Sequence, residues 1–205
     1  MAGMVRLGGI AAFVAVLVLV ITIAMGQTIA TNKVLGIILS LIMTGCILLA
    51  FWTTKTLFNA NNYHRANIAI MGVIVLLVLS WVLSLVGGGT GGMNMGATGG
   101  GILGIIGLII LLAAFVIWIL FSIQAMGYSP TGGGVWKAIG ILYLIASILI
   151  ILALVFVILG VATQSLSMAG VGGFLFLIGG LVWIASLIVH GIGLMSGAGK
   201  MGAAH

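Results

Sequence analysis

Six apolar stretches, each about as long as a bilayer is thick, most limit what this chain can fold into. About twenty helical residues, at about 1.5 Å each, cross a hydrocarbon core of about 30 Å. None of the stretches contains Asp, Glu, Lys or Arg, and one such charge at a helix centre costs about 2.5–3.5 kcal/mol on insertion. The sequence therefore predicts membrane-spanning helices over residues 7–25, 34–52, 68–86, 102–121, 138–161 and 171–194.

The charge content agrees with a lipid-facing surface. Of the 205 residues, 64% are hydrophobic and only 3% are charged, with a mean hydropathy of +1.54. A soluble domain carries about 25% charged residues, because its surface faces water. We therefore expect an all-α, polytopic membrane protein with six transmembrane helices, in which residues 1–205 form a single membrane domain.

The first span has a second interpretation as a signal peptide. Arg6 precedes its apolar run, and Ala24-Met25-Gly26 resembles a small-residue cleavage site. A signal core usually has about 7–15 apolar residues, and this run is longer. We expect a retained helix.

The ionisable residues exclude several chemistries. The chain has no Asp or Glu, which removes paired-carboxylate acid–base chemistry, carboxylate metal sites and a Ser-His-Asp triad. Nucleic-acid binding requires a clustered basic face, whereas here six cations are spread over the whole chain. They give a net charge of +6 and are Arg6, Lys33, Lys55, Arg65, Lys137 and Lys200.

The positions of these cations predict the orientation. With six spans, five of the six cations fall on one side, and only Lys33 falls on the other. Short cytoplasmic loops carry an excess of Lys and Arg. We therefore expect a protein of the cell membrane with both termini in the cytoplasm. Its predicted cytoplasmic-side anchors are Arg6, Lys55, Arg65, Lys137 and Lys200.

The segment 51–65 is predicted to be the cytoplasmic loop between the second and third spans. It is rich in aromatic residues, and amphipathic rings favour the membrane–water interface. We expect a belt at this boundary formed by Phe51, Trp52, Phe58, Tyr63, Phe121, Tyr128 and Trp136.

Small residues at four-residue spacing predict close helix packing, because they allow two backbones to approach each other. The default interpretation is packing inside the protomer, and the alternative is dimerisation. The candidate packing residues are Gly36, Ser40, Thr44, Gly100, Gly104, Gly193 and Gly197.

Two segments are glycine-rich. Residues 87–101 are predicted to be a flexible linker, since glycine loses the most entropy on ordering. The linker lacks the lysine of a phosphate-binding loop. Residues 127–134 contain Pro130, the chain's single proline, and are predicted to form a turn.

A family resemblance rests on three segments: residues 101–109, residues 134–147 and residues 172–185. The pattern Gly-X-X-Lys-Ala-X-Gly-X-Leu-Tyr-Leu-Ile in the second segment is the most specific part. Together the segments resemble an archaeal family of multi-spanning integral membrane proteins of unknown function. The resemblance implies a six-helix membrane fold and an archaeal or archaeal-virus source, and it supplies no site residues.

The remaining reactive side chains are few. His64 is expected to be solvated, His205 lies at the C-terminus, and Cys46 has no partner for a disulfide. His190 falls inside a span, where an ionisable residue is unusual. If His64 and His190 faced each other they could hold a haem or a metal, but we predict no catalytic residue, cofactor or metal site.

The sequence thus predicts a non-enzymatic integral membrane protein, an accessory or structural subunit or a scaffold of a larger membrane assembly. Its expected partners are membrane lipids and other membrane subunits or copies of itself, without nucleic acid. One alternative is a channel or facilitator for a small neutral solute, and another is a cofactor-bearing subunit of a membrane redox complex. The channel would need a polar lumen lined by Thr22, Ser40, Thr44, Ser80, Ser122, Gln124, Ser147 and Gln164.

Overall fold

The structure, a computed structural model, describes residues 1–86 and 102–203. These residues are almost entirely helical, and none of them forms a strand. The fold class is therefore all-α, as the sequence predicts. The predicted linker 87–101, which includes the predicted packing residue Gly100, lies outside the described residues. His205 lies outside them as well.

Six long α-helices, two short α-helices and one 3-10 helix, His64–Ala66, follow one another along the described chain. The long helices are α1 (Ala2–Ala24), α3 (Lys33–Ala60), α4 (Asn67–Val86), α5 (Ile102–Gly127), α7 (Gly134–Ala162) and α8 (Leu166–Ala203). The short ones are α2 (Gly26–Thr31) and α6 (Ser129–Gly132).

Helix α3 begins with a side-chain cap and extends further than predicted. Asn32 Oδ1 accepts a hydrogen bond from the Leu35 N–H at 3.2 Å, which satisfies one of the free donors of the first turn. The helix then continues to Ala60, so the prediction that residues 51–65 form a loop is wrong for most of that segment. The chain reverses over Asn61–Tyr63, where Asn62 adopts a φ of 57°. Asparagine tolerates this left-handed conformation better than most residues.

The long helices form a closed ring in which each packs against at least two others. Helix α1 contacts α3 and α8, α8 contacts α7, α7 contacts α5, α5 contacts α4, and α4 returns to α3. Helix α3 also contacts α8. Short connections join α3 to α4, α5 to α7, and α7 to α8. Side chains that point into the ring therefore meet partners from several helices.

The outer surface is apolar. Among the described residues, five helices are long and apolar enough to cross a membrane, and Ala113–Gly127 is a shorter apolar helix. Large hydrophobic side chains are exposed on every long helix; on α8, for example, Leu166 is 90% and Phe174 63% exposed. Exposure of this extent suits a lipid environment and not water.

One end of the ring, which we call the basic end, collects the cations. There the start of α1 meets the late part of α3, with Gly8 directly against Thr53. Lys200, near the end of α8, donates a hydrogen bond to the Gly132 carbonyl of α6 at 3.1 Å. The turn Asn61–Tyr63 belongs to the same end, as does the connection 127–134, where the predicted turn contains the short helix α6. The residues predicted to share one side of the membrane therefore lie at one end of the fold; they are Arg6, Lys55, Arg65, Lys137 and Lys200.

Candidate functional site

A fully buried histidine is the most unusual group in the interior. His190 of α8 is 0% exposed. Its Nε2 lies 2.7 Å from Thr54 Oγ1 of α3, and its Nδ1 lies 3.1 Å from the Tyr143 hydroxyl of α7. Thr54 and Tyr143 are also completely buried. One imidazole thus connects three helices, and both of its nitrogens have partners.

The hydrogen-bond network assigns the protons. Thr54 Oγ1 lies 2.8 Å from the Ala50 carbonyl, to which it donates its single proton. Its lone pair can then accept from the Nε2–H of His190, which leaves Nδ1 to accept from the Tyr143 hydroxyl. Every polar atom of the triad is satisfied with a neutral imidazole. His190 stood out in the sequence as an ionisable residue inside a span, whereas Thr54 and Tyr143 did not, because no short-range pattern connects residues so far apart.

Aromatic rings enclose the triad. The centroid of the His190 ring lies 5.1 Å from Phe51, 5.9 Å from Phe121, 5.7 Å from Trp136 and 5.9 Å from Tyr143. The contacts with Phe51, Trp136 and Tyr143 are edge-to-face, a favourable arrangement for ring pairs. This inner cluster, formed by the five rings, fills the ring of helices at the level of His190.

A second aromatic group, the turn cluster, continues towards the basic end. Phe58 contacts Tyr128 at 4.1 Å, Trp136 at 4.8 Å and Tyr63 at 5.5 Å between centroids. Tyr63 also donates to the Gln124 backbone carbonyl at 3.1 Å. Burial raises the pKa of the Tyr128 phenol to about 12, because the phenolate loses hydration there.

These positions correct the predicted interfacial belt. Five of the seven aromatic residues assigned to it are buried against one another, and Trp52 is 44% exposed. The rings turn inward because the helices continue past the predicted boundary and bring them together inside the bundle. The five buried residues are Phe51, Phe58, Phe121, Tyr128 and Trp136.

Several polar residues of the channel alternative bond to their own helices. Ser122 donates to the Trp118 carbonyl at 2.7 Å. Ser147 donates to the Tyr143 carbonyl at 2.8 Å. Thr22 bonds in the same way at 2.7 Å to Val18. These hydroxyl protons are directed at backbone atoms and not into a shared lumen.

The two histidines proposed for a haem or metal lie in different surroundings. His64 is exposed, with its Nδ1 3.0 Å from Asn59 Oδ1, whereas His190 is enclosed. Within the described ranges, no three His, Cys, Asp or Glu residues gather in a possible metal site. Both nitrogens of His190 are engaged by Thr54 and Tyr143, so ligation would require breaking one of these bonds.

One close helix approach involves glycines that were not among the predicted packing residues. A Cβ on Gly9 of α1 would lie 2.9 Å from the Gly191 carbonyl of α8, and one on Gly191 would lie 3.0 Å from the Gly9 carbonyl. Among the predicted packing residues, a Cβ on Gly193 would lie 2.7 Å from Ile139 Cδ1, and one on Gly197 would lie 2.7 Å from Leu57 Cδ2. At Gly193 and Gly197, neighbouring side chains and not a neighbouring backbone therefore limit the size of the residue that fits.

The other predicted packing residues lie on α3 and α5. Gly36 and Ser40 of α3 are buried, and Thr44 is half-buried. Gly104 belongs to α5.

The predicted anchors differ in their surroundings. Lys55 is half-buried, with its Nζ 5.1 Å from the centre of the Trp52 ring and 3.5 Å from Met71 Sδ. Lys200 is bound to the Gly132 carbonyl. Lys200 is nevertheless exposed, as are the remaining members of the set, Arg6, Arg65 and Lys137.

Comparison of the chain with protein-family models, with curated proteins and with solved structures finds no match. The class is therefore defined by the fold itself: an all-helical protein of the membrane type, with several apolar helices long enough to span a bilayer. Its distinguishing interior feature is the Thr54–His190–Tyr143 triad within an aromatic core.

Proposed function

We propose that this chain is a non-enzymatic, six-span integral membrane protein that serves as a structural subunit or scaffold of a larger membrane assembly. Its basic end and both termini face the cytoplasm in this proposal. The observation that carries it is the contrast between a filled interior and an open, apolar exterior.

The filled interior favours this role over the channel alternative. A solute pathway needs a continuous polar lumen, and at the level of His190 the ring of helices is occupied by aromatic side chains in mutual contact. The side-chain polar atoms of Thr54, His190 and Tyr143 are paired with one another, whereas the buried Nε1 of Trp136 has no partner among the described residues. A site of this kind holds helices in fixed positions and leaves little room for a substrate.

The outward face of α8 is the surface on which an assembly is proposed to form. A Cβ added to Gly173 or Gly180 would meet no other atom of the described residues within 4 Å. Between them lies Leu177, which is 61% exposed. Small residues beside large apolar ones allow a second helix to approach closely in a membrane. This face therefore suits another membrane subunit or a second copy of the chain.

The test is extraction from native membranes in a mild detergent, followed by sizing and identification of what co-purifies. We expect the chain in a complex with other membrane subunits or with copies of itself. Gly173→Trp should release the protomer from this complex, since its Cβ points away from the described residues and the added ring would occupy the outward face of α8.

Gly45→Trp is the matched control. Gly45 lies on α3, where an added Cβ also meets nothing within 4 Å, so this variant should stay in the complex. A monodisperse lone protomer from the wild-type membranes would contradict the proposed role. Equal release by both variants would contradict the assignment of the α8 face.

A further inference from the structure

The cations of this protein have no side-chain counter-charge within the sequence. The sequence contains six Lys and Arg residues and no Asp or Glu. No internal salt bridge with a side-chain carboxylate can therefore form, and the anions that balance the basic end must come from outside. Near a membrane surface, anionic lipid headgroups are the available source, and each basic residue there contributes to their binding.

Lys55 differs from the exposed cations because the fold holds it in place. Its ammonium is located between the Trp52 ring of α3, at 5.1 Å, and Met71 Sδ of α4, at 3.5 Å. Both contacts restrict the side chain without neutralising its charge. Arg65 is exposed in the short turn His64–Ala66 that leads into the same helix α4.

An apolar groove lies on the face of α4 that carries Met71, the residue that Lys55 contacts. It begins about one helical turn after Met71. Three- and four-residue steps lead from Met71 to Val75, Val78 and Val82, so these residues share one side of the helix. The groove has a volume of about 320 Å³, and Val75 is 56% exposed in it. Its lining residues are Ile74, Val75, Val78, Leu79 and Val82.

We propose that this site binds one anionic phospholipid, with the headgroup phosphate at Lys55 and an acyl chain along the α4 groove. Met71 and Val82 are eleven residues apart, which at about 1.5 Å per residue gives roughly 16 Å. This length matches one leaflet, which is half of the hydrocarbon core of about 30 Å. The proposal depends on location in a membrane and not on the scaffold role, so failure of the assembly experiment leaves it standing.

The experiment is native mass spectrometry of the full-length protein in detergent, titrated with phosphatidylglycerol or phosphatidylcholine of identical acyl chains. We expect the first phosphatidylglycerol to bind about five-fold more tightly than phosphatidylcholine, the effect of one cation near a membrane surface. Lys55→Gln should remove this preference, and Lys55→Arg should keep most of it. Val78→Trp, which fills the groove, should weaken binding of both lipids.

Lys137→Gln is the matched control, because Lys137 is an exposed cation at the same end of the bundle but belongs to α7. It should leave binding of the first lipid unchanged. A loss equal to that of Lys55→Gln would show a diffuse surface attraction and overturn the site. Displacement of the lipid by millimolar glycerol phosphate would also overturn it, because the headgroup chemistry alone would then account for binding.

Discussion

Removing the Tyr143 hydroxyl should destabilise the protein without creating a cavity. Tyr143→Phe keeps the ring and its aromatic contacts, and it deletes only the 3.1 Å hydrogen bond to His190 Nδ1. Nδ1 is then a buried acceptor without a donor, because the other ring nitrogen is engaged by Thr54. An unsatisfied buried group costs about 1–3 kcal/mol, and side-chain hydrogen bonds in membrane proteins average about 0.6 kcal/mol. We expect a loss of about 1–2 kcal/mol.

A double-mutant cycle with His190→Leu isolates the interaction. In the His190→Leu background the Tyr143 hydroxyl is itself left buried without its partner. Tyr143→Phe should therefore be neutral or stabilising there, although it is destabilising in the wild type. The free energy of unfolding can be measured for the detergent-solubilised protein by titration with a denaturing detergent, followed by tryptophan fluorescence and circular dichroism.

Ser147→Ala is the control on the same helix. The Ser147 hydroxyl bonds only to a backbone carbonyl one turn earlier, at 2.8 Å, so its removal leaves no partner group unpaired. We expect a change below about 0.5 kcal/mol. The reasoning is refuted if Tyr143→Phe costs no more than Ser147→Ala, or if the Tyr143 and His190 effects add to within about 0.5 kcal/mol.

Three further results are expected. Gly191→Ala should destabilise by about 1–3 kcal/mol in the same unfolding assay, because its Cβ meets the backbone of α1, whereas Gly199→Ala should be neutral or slightly stabilising. The near-ultraviolet absorbance difference between wild type and Tyr128→Phe should titrate near pH 12, since burial disfavours the phenolate, and a midpoint near 10 would contradict this. In a cysteine-free background, cysteines at Asn61 and Ser165 should be labelled from opposite sides of the membrane; labelling from one side would refute the topology.

The positions of the membrane helices were predictable because a helix surrounded by lipid needs a long run of apolar residues, and such runs are visible in the sequence. Large apolar side chains are exposed on every long helix, Ile68 at 84% among them. A surface of this kind suits lipid and not water, and the composition alone indicates it. The grouping of Lys55 and Lys200 at one end also follows from the order of the spans. The six-span count and the orientation stay predictions, as does the resemblance to an archaeal membrane family.

The interior was not predictable, since it depends on which faces meet across the ring. Phe51 and Trp136 were assigned to an interfacial belt because amphipathic rings favour that layer, but the helices extend past it and the rings pack inward. Thr54 and Tyr143 lie 136 and 47 residues from His190 in sequence. Nothing in the sequence near any of these residues indicates that the three side chains meet.

The uneven distribution of packing along the described helices has a mechanical consequence. On α8, buried side chains extend from Ser186 to Ala198, whereas the first half of the helix exposes Phe174 and Leu181. We expect the half of the bundle at the basic end to be the stiffer one, since aromatic rings and the Thr54–His190–Tyr143 hydrogen bonds occupy it. Among the described residues the opposite half has fewer such contacts, so we expect its cross-section to respond more readily to the lateral pressure of the surrounding leaflet. Changes in bilayer thickness would therefore deform the half of the bundle opposite the basic end before the half at the basic end.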